Sequence, residues 1–120
     1  MLLCGSKLGI ITHEVSELLA QRLVVPIAAA PVTAKGLAVA SKRQITVLAD
    51  FVTTSGPLFL DHPPEGTTAE AATKLALESI TSTTEALSEH AEGPYLGACY
   101  QAEDFLRTWQ EKLPFGRPLA

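Results

Sequence analysis

Apolar positions along this chain follow two rhythms. In the first half they form short unbroken runs: MLLC at 1–4, LVVPIAAA at 23–30 and, within QITVLADF at 44–51, ITVLA. The second and third runs are β-branched and apolar on nearly every residue, which predicts strands buried on both faces. Pro26 sits awkwardly in the second run, because a central strand loses a ladder bond at proline. Between the runs the rhythm changes to helical spacing. THEVSELLAQR (12–22) carries Thr12 as a cap and an apolar stripe of Val15, Leu18, Leu19 and Leu23. PVTAKGLAVASKR (31–43) carries Thr33 as a cap, with Leu37, Ala38 and Ser41 expected inward. Gly36 weakens that helix but permits a close backbone approach. The first half therefore reads β-α-β-α-β. Its connections are too long for hairpins and suit helical crossovers between parallel strands.

The second half is helical. DHPPEGTT (61–68) is a loop by composition. Ala72, Leu75, Ala76, Ile80, Thr83 and Leu87 then recur at helical spacing, predicting a helix from 68 to about 91. Gly93-Pro94 interrupts it. A last helix is expected over 95–113, with Leu96, Cys99, Ala102, Leu106, Trp109 and Leu113 as its stripe. Right-handed crossovers that step one way along a sheet place both helices on one face. The C-terminal pair is the material left to cover the other. The expected organisation is a sheet unit at 1–60, a loop at 61–67 and a helical pair at 68–120 packing on the sheet.

Composition narrows the function. The 120 residues are 47% apolar and 18% charged, with a formal net charge of −4. The pI is about 5.3 and the longest basic cluster is Lys42-Arg43, which argues against nucleic acid as a partner. No apolar run is long enough to span a bilayer, and MLLCG lacks the flanks of a signal peptide. A cytoplasmic protein with no membrane partner is expected. Cys4 and Cys99 have neither metal spacing nor a CxxC arrangement, so both are expected as free thiols.

Open α/β sheets bind ligands at the carboxyl ends of their strands. Three such ends are expected here: Cys4-Gly5-Ser6, Ala28-Ala29-Ala30 and Thr53-Thr54-Ser55-Gly56, all of small residues that let a ligand approach the backbone. The plainer reading is three ordinary turns. Asp50 fits a catalytic acid less well than an acceptor for the following turn. Lys7 lies just past the first strand end, where it could meet an anion or simply face solvent. His13, His62 and His90 show no ligand spacing. Phe105, Trp109 and Phe115 suit helix packing better than base stacking. The chain has no GxSxG, GxGxxG or GxxxxGK[ST] motif.

Several of these stretches together resemble the second half of the cofactor domain of the glutamate/leucine/phenylalanine/valine dehydrogenases. LLCGSKLGIIT is similar to that family's strand, small-residue turn and Ile-Thr helix start. VVPIAAAPVT takes the place of its Glu-Gly-Ala-Asn-Gly-Pro-Thr-Thr turn, keeping Ala28, Pro31 and Thr33. TVLADFVTTSGP takes the place of its Val-Val-Pro-Asp strand and Ala-Asn-Ala-Gly-Gly turn, keeping Asp50 and Gly56. The closing helices also look like the family's. The resemblance implies half of a Rossmann-like parallel sheet, NAD or NADP as cofactor, and Cys4, Gly5, Ser6, Ala28, Ala29 and Thr54 as the residues around the nicotinamide. Asp50 would tie down the turn and Gly56 would let the backbone come close. It also implies oxidative deamination of an L-amino acid by the whole enzyme.

Ala29 and Thr54 replace family asparagines that hydrogen-bond the cofactor region. The catalytic lysine, the catalytic aspartate and the glycine-rich phosphate turn belong upstream in the family. No catalytic residue is therefore expected in this chain, Met1 would be an internal or secondary start, and the partner would be a missing N-terminal half or a second copy. The alternative is a non-catalytic binding or assembly module derived from a Rossmann half-domain. An unrelated hydrolase or transferase ranks last, with only Lys7, Asp50, Thr53 and Thr54 to serve it.

Overall fold

The computed structural model describes residues 1–111. Strands β1 (Leu2–Cys4), β2 (Leu23–Pro26) and β3 (Thr46–Val47) form one parallel sheet in the order β1-β2-β3. Helices α1 (His13–Leu18) and α2 (Ala34–Lys42) make the two crossovers. Four helices follow: α3 (Asp50–Thr53), α4 (Gly56–Asp61), α5 (Ala69–Ser88) and α6 (Pro94–Arg107). The chain is thus α/β with a small, open parallel sheet. Among the described residues no helix is long and apolar enough to cross a membrane.

The register pairs Leu2 with Val24, Cys4 with Pro26, and Val24 with Val47. Those residues share one face of the sheet. There Cys4, Val24 and Val47 meet Ile11, Leu37, Ala40 and Ile45 in the main core. The opposite face is more open: Leu3 is 56% exposed and Val25 half-buried. The strands are therefore not buried on both faces as their composition predicts. Ile80, Thr84 and Ser88 of α5 line a cavity of about 370 Å³ with Val25 and Leu48 instead of closing on them. A second, smaller core of Ala49, Leu87 and Ala98 joins α5 and α6 to the segment after β3. Tyr95 packs against both cores.

β3 stops at Val47, earlier than the run ending at Phe51 predicts. The Leu48 amide still donates to the Val24 carbonyl at 3.1 Å, and the next residue of β2 facing that side is Pro26, which has no N–H to offer. The chain turns at Ala49 and Asp50 opens α3, its carboxylate in the first turn where the helix dipole favours it. Residues 56–60, expected as the close of the sheet unit with only Gly56 in the strand-end turn, fall in α4 with Pro57 in its first turn, and Asp61, expected in the loop, ends that helix.

Three helices bury a face that differs in whole or in part from the one their apolar stripe predicts. In α1, Ser16 is fully buried while Leu18 is 84% exposed. The cause is Gly36 on α2: a Cβ there would lie 2.6 Å from the Ile11 carbonyl oxygen and 3.2 Å from Ser16 Oγ. The gap between the helices admits only small groups. α2 accordingly buries Gly36, Leu37 and Ala40, leaving Ala38 and Ser41 exposed. In α6 the buried residues are Pro94, Gly97 and Ala98, because His90 packs against Gly97, 2.9 Å from where its Cβ would be. Leu96, Cys99 and Leu106 are half-buried, and Ala102 and Trp109 exposed. Leu113 and Phe115 lie outside the described residues.

Caps follow the sequence closely. The Thr33 hydroxyl accepts from the Gly36 amide at 3.0 Å and the Thr12 hydroxyl from Val15 at 3.4 Å. The Thr68 hydroxyl accepts from Ala71 at 3.2 Å to start α5.

Candidate functional site

Parallel pairing puts the carboxyl ends of the three strands on one side of the sheet, and side chains and backbone join them there. Gly5 follows β1 and rests directly on the turn after β2: a Cβ at this position would lie 2.7 Å from the Ala28 nitrogen and 2.9 Å from the Ala28 Cβ. Only glycine fits so close. Further along, the Gly9 amide donates to the Ala30 carbonyl at 2.9 Å and the Ile11 amide to the Pro31 carbonyl at 2.9 Å. Ile11 and Val32 form an isolated parallel bridge, so the two post-strand segments run side by side up to the helices.

The third strand end is tied in by side chains. Asp50 Oδ2 accepts from the Ala30 amide at 2.7 Å. The Thr53 hydroxyl donates to the Pro26 carbonyl at 2.8 Å, satisfying the last backbone acceptor of β2. Asp50 therefore acts as the sequence predicts in kind, as an acceptor for a turn. The turn, however, belongs to the neighbouring strand and not to its own.

Of the residues expected around the nicotinamide, Cys4 is buried, Gly5 and Ala28 are half-buried and in contact, and Ser6 and Ala29 are exposed. Thr54 is half-buried, and its hydroxyl donates to the Asp50 carbonyl at 2.8 Å within α3. Its oxygen keeps only acceptor capacity for anything else. Gly56 opens α4, with Ile80 3.9 Å from where its Cβ would be. Lys7 is exposed. Among the described residues no group of three or more His, Cys, Asp or Glu is placed to hold a metal ion.

Burial pushes the Cys4 thiol up from its ordinary value, so it is a poor thiolate source at neutral pH. Tyr95 was not singled out by its sequence context. Its phenol is pushed up to about 12, first by burial and then by the negative charges of Asp50 and Cys99. Phe51 meets its ring edge-on at 6.4 Å. The start of α6 thus sits within electrostatic reach of the strand-end region. A cavity of about 350 Å³ opens on the other flank of Tyr95, between the end of α2, β3 and residues 91–96.

No family model matches the chain, and neither a curated protein nor a solved structure matches it.

Proposed function

We propose that this chain is the nicotinamide-side half of a dinucleotide-binding domain, a C-terminal NAD- or NADP-binding segment of an amino-acid dehydrogenase. The reading rests on the resemblance of the three strand-end stretches. The observation that carries it is the joining of those stretches at the carboxyl side of a parallel sheet: Gly5 against Ala28, Thr53 on Pro26 and Asp50 on Ala30. Sites of this class form where strands end and small residues leave the backbone open. Among the described residues the outer edge of β1 has no neighbouring strand, which is where the other half of a doubly wound sheet would pair. In this reading the chain positions a nicotinamide and supplies no proton-transfer group. Catalysis belongs to the residues that the resemblance assigns upstream.

The second reading is an assembly module that uses the same sheet edge. Its observation is the apolar character of that edge, with Met1 75% and Leu3 56% exposed.

Ala29 separates the two. It is exposed and stands where the family has an asparagine. On the dehydrogenase reading, Ala29→Asn restores one hydrogen bond and tightens NADH binding severalfold, about what one net hydrogen bond supplies. On the assembly reading the same substitution leaves dinucleotide affinity negligible.

A further inference from the structure

The turn after β2 is Ala28-Ala29-Ala30-Pro31. Pro31 disfavours the right-handed helical region for Ala30 and steers it towards extended backbone, so nothing in the local sequence asks for a positive φ. Ala30 nevertheless has φ +44°. That region costs an L-residue free energy, and glycine or asparagine normally occupies it. An alanine stays there only when its surroundings hold it. Both backbone groups of Ala30 are held from outside. Its carbonyl accepts from Gly9 at 2.9 Å, and its amide donates to Asp50 Oδ2 at 2.7 Å across 20 residues of sequence. The second bond ends on a carboxylate, which makes it the stronger class of hydrogen bond.

We infer that Asp50 is a positioning residue whose carboxylate imposes the left-handed conformation on Ala30 and so sets the shape of the Ala28–Ala30 turn presented to a ligand. The ligand part of this inference rests on the dinucleotide reading above. The latch itself does not. Asp50 can act this way because β3 ends early: one more turn of strand would carry its side chain along the sheet and away from the neighbouring turn. The segment holding it is braced in turn, since Thr53 of α3 is bonded to Pro26 and Phe51 meets Tyr95 of α6.

The experiment compares the full chain with Asp50→Ala, Asp50→Asn, Ala30→Gly and the double variant Asp50→Ala/Ala30→Gly. Two readouts are taken: hydrogen exchange at the residue 30 amide by NMR, and NADH affinity by fluorescence titration. Asp50→Ala is expected to speed exchange at that amide about tenfold and to weaken NADH binding by a similar factor, the scale of one charge-assisted bond. Asp50→Asn keeps an acceptor without the charge and should fall between. Ala30→Gly removes the conformational cost, so the double variant should recover most of the lost affinity while its amide stays fast. A merely structural role for Asp50 would not be rescued at residue 30.

Unchanged exchange at Ala30 in a folded Asp50→Ala or Asp50→Asn chain overturns the latch. Loss of affinity that glycine at position 30 does not restore overturns the positioning role. A wild-type chain that binds neither NADH nor NADPH sinks the dinucleotide reading and the ligand half of the inference with it, while the exchange rates still decide the latch.

Discussion

Single atoms decide several features of this molecule. The helix pair α1–α2 closes to a distance set by the missing side chain of Gly36. Replacing a helical glycine by alanine ordinarily stabilises a helix by about 1 kcal/mol. Here the added methyl would meet the Ile11 carbonyl at 2.6 Å, a backbone atom that cannot swing away. Gly36→Ala is therefore expected to destabilise by about 1–3 kcal/mol, the usual cost of overpacking. The urea midpoint of the purified variant measures it. Tyr95 gives a pH dependence. Its pKa in the folded chain is about 12 against an ordinary 10.0. Between those values the unfolded chain loses the phenolic proton while the folded chain keeps it. Tyr95 thus contributes stability that is fully present below pH 10 and lost as the pH climbs towards 12. Tyr95→Phe should flatten this part of the stability–pH curve, and denaturant melts across that range will show whether it does.

Among the elements, parallel strands and crossovers were legible because composition alone separates short β-branched runs from helical stripes. Thr12 and Thr33 announced their helices, since a cap hydroxyl acts within three residues of itself. Faces were less legible. Val15 and Leu18 of the expected stripe point outward while Leu19 packs on the main core, because Ser16, a polar residue, is what fits against Gly36. The stripe on α6 shifted to Pro94, Gly97 and Ala98 because His90 packs there. The early end of β3 depended on which side of β2 the nitrogen of Pro26 faces, a property of register and not of composition. The Asp50–Ala30 bond joins residues 20 apart and leaves no local signal. The α5 pattern fared better: Ala72, Ala76 and Leu87 are buried as their spacing requires. Leu87 is 3% exposed in the small core that fastens α5 and α6 to the segment after β3. Leu87→Ala should cost about 2–5 kcal/mol, with the loss read from thermal or denaturant unfolding. If both C-terminal helices were loose appendages, the same change would be close to silent.

As a whole, the described residues build on a small parallel sheet with one well-filled face and one half-open face, and among those residues β1 and β3 are each paired on one side only. Large apolar side chains remain in contact with solvent from several elements, Leu3, Leu18, Ile27, Phe105 and Trp109 among them. On the proposed reading, the rest of a complete binding domain would pack against part of this surface. The most direct test is a fluorescence titration of the folded, full chain with NADH and with NADPH, its oligomeric state measured in the same sample. Saturable binding of at least one of them is expected at roughly micromolar to submillimolar strength, a binding free energy of about 5–8 kcal/mol. A folded chain that ignores both cofactors at millimolar concentration, and forms a stable dimer, would contradict it.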